Sequence, residues 1–165
     1  MIIVKKSGYL KYNNFKFRCA LGEAGIGRKL KEGDKITPVG LFKIIKVYYR
    51  PDKIKKIITN FKKAKIKKNM GWCDDSRSLA YNRQIKLPSK FGHEKLYRKD
   101  NIYNLIAVLN YNMNPTVKKK GSAIFIHIAK KNYEPTAGCI ALKKGDLIKL
   151  LKQIKTNTKI KISAN

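Results

Sequence analysis

The sequence predicts a β-rich domain of α+β character with at least one helix late in the chain. Strand-length runs of β-branched and aromatic residues recur along it, and one segment near the C terminus places its apolar residues at helical spacing. No internal repeat and no Pro- or Gly-rich linker interrupts the 165 residues. We therefore expect a single domain over residues 1–165, which is long enough to bury a core without disulfide bonds.

The first two predicted strands are residues 15–21 and 40–49, where aromatic and β-branched side chains are concentrated. The segment between them is rich in glycine and charge, so we expect a long hairpin loop. Its glycines are not followed by the helix that a phosphate-binding loop must open onto, which excludes that kind of site. Residues 51–68 contain eight lysines and predict a solvated face or loop.

Strands resume at residues 105–109 and 123–129, and the second of these, AIFIHIA, has isoleucine at every second position. Residues 146–154 carry apolar side chains at helical spacing, and the acidic first residue favours the helix dipole. The segment TKIKI at residues 158–162 predicts a short final strand.

The charge is strongly basic, with 39 Lys and Arg against 10 Asp and Glu and a net charge of +29. Lysine dominates, with 33 Lys to 6 Arg, whereas proteins that read nucleic-acid sequence depend on Arg for bidentate contacts. We therefore expect nonspecific, salt-sensitive attraction to anionic polymers and no specific nucleic-acid partner. No apolar stretch is long enough for a transmembrane segment, and no signal peptide is visible at the start shown.

The candidates for chemistry are few, because the chain has three cysteines and two histidines. With an odd number of cysteines, at least one thiol is free or pairs with another molecule. Cys19 lies in a strand-like run and is expected to be a buried hydrophobe. Cys139 follows Gly138 in the segment TAGCIAL, and His127 lies twelve residues earlier on the AIFIHIA strand. A thiol near an imidazole can act as a nucleophile, whereas the alternative is a packed thiol and a core histidine.

The cysteine, histidine and aspartate side chains could alternatively bind a metal ion. The potential ligands lack the paired spacing, two ligands separated by two to four residues, that is typical of structural zinc. We therefore predict no metal site. The potential ligands are Cys73, Asp74, Asp75, His93, His127 and Cys139.

Residues 124–142, IFIHIAKKNYEPTAGCIAL, resemble the active-site signature of YkuD-type L,D-transpeptidases, bacterial cysteine enzymes that remodel peptidoglycan. That signature joins a histidine on a strand to a Ser/Thr-x-Gly-Cys turn followed by an apolar residue. The segments TPVGLF at 37–42, GWCDD at 71–75 with YN at 81–82, and residues 92–112 also resemble this family. The chain departs from many members in having Ala137 before the glycine and Ala141 after Ile140.

The resemblance implies a β-sandwich or barrel with a helix after the cysteine, and a reaction that needs no metal or organic cofactor. It also implies that Cys139 is the nucleophile, that His127 is the base and acid, and that Gly138 donates a backbone N–H to the oxyanion. The candidates for substrate contact are Thr136, His93, Glu94, Trp72, Asp74 and Asp75. All but Thr136 are secondary candidates, which could lie beside the cleft and hold ammonium or carboxylate groups of the substrate. The alternatives are structural packing of Trp72 and Cys73 with Asp74 and Asp75 capping a turn, and an exposed loop position for His93.

The implied partners are peptidoglycan stem peptides, and the implied location is the periplasm or cell envelope, although the absence of a visible signal peptide leaves a cytoplasmic location open. We expect a monomer. Two other functions stay open at this point: a cysteine hydrolase or amidase on the same fold, and an inactive basic module that binds polyanions.

Overall fold

Fourteen β-strands and one α-helix form the regular structure of residues 1–164, the part of the chain that this computed structural model describes. The strands are β1 (Ile2–Lys5), β2 (Tyr9–Tyr12), β3 (Phe15–Ala20), β4 (Ile26–Gly27), β5 (Thr37–Pro38), β6 (Gly40–Tyr49), β7 (Lys63–Lys65), β8 (Met70–Cys73), β9 (Gln84–Lys86), β10 (His93–Lys95), β11 (Leu105–Leu109), β12 (Phe125–Ile128), β13 (Ile140–Leu142) and β14 (Lys159–Ser163). The helix α1 is Lys144–Gln153, and a single 3-10 turn covers Lys131–Tyr133.

The main sheet closes on itself like a barrel. Its strand order is β11-β12-β13-β3-β2-β1-β14-β6-β7, and β11 also pairs with β6, which completes the ring. Closure leaves the strands of the ring without a free edge. A smaller sheet, β10-β8-β9, lies beside the barrel, and β4 pairs with β5.

Strand β11 separates two hydrophobic clusters because its side chains alternate between its two faces. Leu105, Ala107 and Leu109 belong to the larger cluster with the apolar face of α1. Ile106 and Val108 belong to the smaller cluster, which also contains residues of β8. All five residues are buried, because each face of this strand is covered.

Helix α1 forms because its apolar side chains share one face. Leu147, Leu150 and Leu151 are its buried residues, at the spacing of neighbouring turns. Asp146 lies in the first turn, where a carboxylate favours the helix dipole, and Ile154 N–H ends the helix by donating to Leu150 O. Within residues 1–164, no helix is both long and apolar enough to cross a membrane.

The predicted strands at residues 15–21, 40–49, 105–109, 123–129 and 158–162 are confirmed as β3, β6, β11, β12 and β14 within two residues at each end. The predicted helix is confirmed as α1, which starts two residues earlier. The predicted hairpin between β3 and β6 is wrong. Three strands, β2, β1 and β14, lie between them in the sheet, so the chain from β3 to β6 crosses instead of turning back.

The lysine-rich segment 51–68 is confirmed as a solvated face, because all eight of its lysines are exposed. The same segment is also anchored to the protein. Ile54, Ile57 and Phe61 join the larger hydrophobic cluster and Ile66 joins the smaller one. Apolar residues between the lysines therefore fix the segment while its charges stay in solvent.

Candidate active site

The parallel pairing of β12 with β13 brings the candidate nucleophile and base to one face of the sheet. His127 lies opposite Ala141, and Cys139 precedes β13 by one residue. Because side chains alternate along a strand, Cys139 and Ala141 point to the same face as His127. The three residues line one cavity of about 400 Å³.

The turn before Cys139 is held by the side chain of Thr136. Its hydroxyl donates to Cys139 O at 2.6 Å and accepts the Gly138 N–H at 3.1 Å. The backbone of Thr136 is itself tied to the chain after β3, since its N–H donates to Leu21 O at 2.9 Å and its carbonyl accepts the Glu23 N–H at 2.9 Å. The nucleophile turn is therefore anchored to a neighbouring loop.

Gly138 has a positive φ of 131°, and a Cβ atom there would lie 2.8 Å from the carbonyl oxygen of Ile36. A side chain at this position is thus excluded both by backbone conformation and by space. Its N–H, which we predict to bind the oxyanion, donates to Thr136 Oγ1 in this state. The Gly138 N–H can donate to an oxyanion only if its hydrogen bond to Thr136 Oγ1 breaks or becomes bifurcated.

The Cys139 thiol is buried, with 8% of the residue exposed. Sγ donates to Ala123 O at 3.1 Å and accepts the Phe125 N–H at 3.3 Å. Burial, together with the carboxylate of Glu94, raises the pKa of Cys139 to about 12, although the Phe125 N–H and the Lys29 ammonium act in the opposite direction. The resting thiol is therefore protonated at neutral pH.

The His127 imidazole is buried and held in one tautomer. Its Nδ1 lies 2.9 Å from the carbonyl oxygen of Ile128, and since that oxygen can only accept, Nδ1 carries the proton. Nε2 is then free to accept a proton. Burial lowers the pKa of His127 to about 4, so the ring is neutral at pH 7. The ring of Tyr103 packs edge-on against it at 5.3 Å between centroids.

The site therefore rests as a neutral thiol and a neutral imidazole, without an ion pair between them. Charge separation in a buried site without a charged ligand is unfavourable. A proton can move from the thiol to the imidazole when the sulfur attacks a substrate carbonyl carbon and polar groups stabilise the negative charge that develops on the carbonyl oxygen. The arrangement can thus support nucleophilic attack assisted by a general base.

Three of the residues predicted to contact substrate line the same cavity as Cys139 and His127: Thr136, Asp74 and Glu94. Glu94 accepts a hydrogen bond from the Tyr103 hydroxyl at 2.8 Å. The cavity is also lined by basic side chains, of which Lys29 is buried and paired with Asp34 at 2.5 Å.

The other three predicted contact residues do not line this cavity. Trp72 is 4% exposed, and its indole N–H donates to Asn82 Oδ1 at 3.0 Å. His93 Nδ1 lies 2.7 Å from Phe91 O. Asp75 pairs with the Arg77 guanidinium at 2.6 Å.

Sequence reasoning missed the side chains that support the reacting pair. Asn82 Oδ1 accepts the Ala123 N–H at 3.1 Å as well as the Trp72 indole, and so positions the carbonyl that accepts the Cys139 thiol. Tyr103 bridges Glu94 and His127. The YN pair at 81–82 marks Asn82 in the sequence, whereas nothing in the chain order connects Tyr103 with either partner.

Residues 1–164 contain no group of three or more His, Cys, Asp or Glu side chains placed to hold a metal ion. The candidate ligands named from the sequence are spread over several elements. Cys73 is buried in β8, with its thiol 3.8 Å from Asp75 O, whereas Cys139 and His127 face the cavity.

The two central features of this molecule are a buried histidine on one strand of a closed, barrel-like sheet and a buried cysteine directly before the adjacent strand. The chain belongs to the YkuD family of L,D-transpeptidase catalytic domains, whose model matches residues 1–162. No curated protein matches the chain.

Two solved structures have a similar fold. L,D-transpeptidase 1 of Mycobacterium tuberculosis is 13% identical with a TM-score of 0.42, and the match covers 98% of this chain and 60% of that one. An L,D-transpeptidase from Mycobacterium smegmatis is 13% identical with a TM-score of 0.44, over 99% of this chain and 58% of that one. This chain therefore spans about three fifths of the length of those proteins.

Proposed function

We propose that this protein is a peptidoglycan L,D-transpeptidase that acts through a thioester on Cys139. The observation that carries the proposal is the register of β12 and β13, which directs Cys139 and His127 into one cavity within a chain of the L,D-transpeptidase family. Its substrate is a stem peptide, and its place of action is the cell envelope, where that substrate is found.

In the first half-reaction, Cys139 Sγ attacks the carbonyl carbon of the peptide bond between a diamino acid and D-Ala. The thiol proton passes to His127 Nε2, which is available because Nδ1–H is bound to Ile128 O. The carbon–sulfur bond forms, the carbon–nitrogen bond breaks, and the imidazolium returns the proton to the leaving amine. D-Ala departs and the thioester remains.

The negative oxygen that develops during attack needs hydrogen-bond donors. The backbone N–H groups of Cys139 and Gly138 would supply them, with Thr136 releasing or sharing the Gly138 N–H. The loss of one such donor typically lowers the rate by about 10²–10³. Thr136 would thus position the turn and also regulate access to a donor.

In the second half-reaction, a side-chain amine of another stem peptide attacks the thioester. His127 takes the amine proton, the carbon–sulfur bond breaks, and the proton returns to the Cys139 thiolate. The product is a cross-link between stems. Water in place of the amine gives hydrolysis, so the same chain would then be a cysteine hydrolase.

The proposal is tested by intact-mass analysis after incubation with a purified stem tetrapeptide. We expect an adduct equal to the tetrapeptide minus D-Ala on Cys139, its loss in Cys139→Ala, and its retention in the control variant Cys73→Ala. A cross-linked dimer should appear when an acceptor stem is added. Shortened peptides without any dimer would favour the hydrolase, and the absence of an adduct with bound polyanion would favour the binding module.

A further inference from the structure

The acidic residues of this basic protein fall into two groups. The chain has ten Asp and Glu against 39 Lys and Arg, so each carboxylate has many potential partners. Within residues 1–164, six carboxylates form ion pairs with Lys or Arg: Glu23, Asp34, Asp52, Asp75, Asp100 and Glu134.

Three of the remaining four carboxylates, Glu32, Asp74 and Glu94, line the cavity that contains Cys139. We call these three residues the acidic wall. The fourth, Asp146, lies in the first turn of α1 and does not line the cavity. Carboxylates without a basic partner are therefore concentrated at the candidate active site.

The hydrogen bonds that the acidic wall receives come from neutral groups. The Tyr81 hydroxyl donates to Glu32 at 2.5 Å, and the Tyr103 hydroxyl donates to Glu94 at 2.8 Å. Burial raises the pKa of Asp74, and the charge of Glu32 raises it further. Within residues 1–164, the acidic wall therefore forms no ion pair with Lys or Arg.

The basic residues around the cavity already have carboxylate partners. Lys29 pairs with Asp34, Arg98 with Asp100, and Lys130 with Glu134, at 2.5, 2.5 and 3.1 Å. Their charges are thus offset locally. The cavity keeps an excess of negative charge although the protein as a whole carries +29.

A second observation points to a ligand in this cavity. Ser122 is 5% exposed and lines the cavity, and its hydroxyl is the one buried side-chain polar atom without a hydrogen-bond partner in the described part of the chain. An unpaired buried polar group costs about 1–3 kcal/mol. A ligand with polar hydrogens would satisfy it.

We propose that the acidic wall is a subsite for an ammonium group of the substrate, namely the free amino group of a diamino acid in the stem peptide. The inference builds on the proposed function. A primary ammonium has three donors, which suits carboxylates on several elements together with the Ser122 hydroxyl.

Binding of an ammonium would also prepare the nucleophile. The Glu94 carboxylate is one of the groups that raise the pKa of Cys139, after burial itself. Lys29 acts on the thiol in the opposite direction. Burial raises the pKa of Glu94, although the hydrogen bond from Tyr103 and the charge of Arg98 act against that rise. A cation bound between these groups would cancel the effect of Glu94 on the thiol, so that recognition of the amine favours the thiolate.

The first test compares two thiol reagents of opposite charge, 2-aminoethyl and 2-sulfonatoethyl methanethiosulfonate. In each, the thiolate attacks the sulfenyl sulfur, a mixed disulfide forms and methanesulfinate leaves. Modification of Cys139 is followed by the mass of its proteolytic peptide, which separates it from Cys19 and Cys73. We expect the cationic reagent to react with Cys139 about tenfold faster, the effect of about 1.4 kcal/mol.

The variants Asp74→Asn and Glu94→Gln, alone and together, should lower that ratio, whereas Asp146→Asn should not. The carboxamides keep the shape of the side chains and remove the charge. A faster reaction of the anionic reagent in the unmodified protein, as a net charge of +29 alone would give, overturns the proposal. A ratio of rates that Asp74→Asn and Glu94→Gln leave unchanged, alone and together, also overturns the proposal.

The second test measures calorimetrically the affinity of Cys139→Ala for a stem tetrapeptide with a free diamino acid amine and for the same peptide acetylated at that amine. We expect acetylation to weaken binding about tenfold, and Ser122→Ala to weaken binding of the free amine without loss of stability. Equal affinities, or binding of neither peptide, contradict the subsite. If Cys139 reacts with neither reagent, this comparison of affinities decides the proposal.

The two proposals fail in different ways. Thioester formation at equal rates from the free and the acetylated peptide would remove the ammonium subsite and leave the L,D-transpeptidase proposal intact. A preference for the cationic reagent without any thioester would contradict the L,D-transpeptidase proposal and leave the cation-binding subsite intact.

Discussion

The Cys139 thiol donates its hydrogen bond to the carbonyl oxygen of Ala123 at 3.1 Å, and not to the imidazole that shares its cavity. Ala123 has a φ of 54°, in the left-handed region, and its N–H is held by Asn82 Oδ1 at 3.1 Å. In the resting state the thiol is therefore hydrogen-bonded to a backbone carbonyl, and this hydrogen bond must break before His127 can accept the thiol proton.

The first prediction concerns acid stability. The pKa of His127 is about 4 in the folded protein against about 6.5 for an unperturbed histidine, so the unfolded chain binds more protons between these values. Stability should fall as the pH drops from about 6.5 to about 4, by a total approaching ~3 kcal/mol. Urea unfolding at several pH values measures this loss.

His127→Gln should remove that part of the pH dependence, whatever its effect on stability at pH 7. His93→Gln is the matched control, because it removes the other histidine and should keep the acid slope. An unchanged slope in His127→Gln would contradict a buried neutral imidazole.

The second prediction concerns the turn before the nucleophile. Thr136→Val keeps the shape of the side chain but removes the hydroxyl that bonds Cys139 O and Gly138 N. We expect a loss of about 1–3 kcal/mol in the free energy of unfolding and slower thioester formation. Thr136→Ser keeps the hydroxyl and should restore both. If valine were as stable and as active as serine, the hydroxyl would have no positioning role.

The third prediction compares two glycines. Gly138→Ala places a Cβ atom 2.8 Å from Ile36 O on a backbone with φ of 131°, and should lower the free energy of unfolding by about 1–3 kcal/mol. Gly145→Ala, in the first turn of α1 with no atom within 4 Å of the new Cβ, should be neutral or stabilise the protein by up to about 1 kcal/mol. Thermal and urea unfolding of both variants give the comparison, and equal effects would contradict it.

The fourth prediction concerns the ion pair of Lys29 with Asp34, whose side chains are 2% and 8% exposed. Burial raises the pKa of Asp34, but the hydrogen bonds from Lys29 and from backbone N–H groups outweigh it and lower the pKa to about 2. Lys29→Met leaves this carboxylate buried without its partner, so we expect destabilisation of about 3–5 kcal/mol.

The control for Lys29→Met is Lys35→Met. It removes the cation of an exposed pair with Glu23, whose side chains are 54% and 60% exposed, and should change stability by less than about 1 kcal/mol. Similar losses in the two variants, measured by urea unfolding, would contradict the assignment of a buried pair.

The elements that could be predicted from the residues alone are those in which local pattern and tertiary environment agree. The isoleucine at every second position of AIFIHIA predicts β12, all four of whose residues are buried. The spacing of Leu147, Leu150 and Leu151 predicts α1, because it places these residues on one buried face. The Thr136-x-Gly138-Cys139 segment and His127 also stand out, since these residue types carry their chemistry in any fold.

The pairing of the strands depends on long-range contacts of the folded chain. No local signal places β14 between β1 and β6, because β14 pairs with strands that lie more than a hundred residues away in the chain. The predicted hairpin between β3 and β6 failed for this reason. Short strands such as β7 and β10 form because a longer neighbour offers them hydrogen bonds, and not because of their own composition.

The same distinction holds for the site. The charge of +29 is a property of composition, whereas the acidic wall of Glu32, Asp74 and Glu94 exists only because the fold brings three distant segments to one cavity. Burial is likewise a property of the folded state, so the raised pKa of Cys139 and the lowered pKa of His127 could not be predicted from the order of residues.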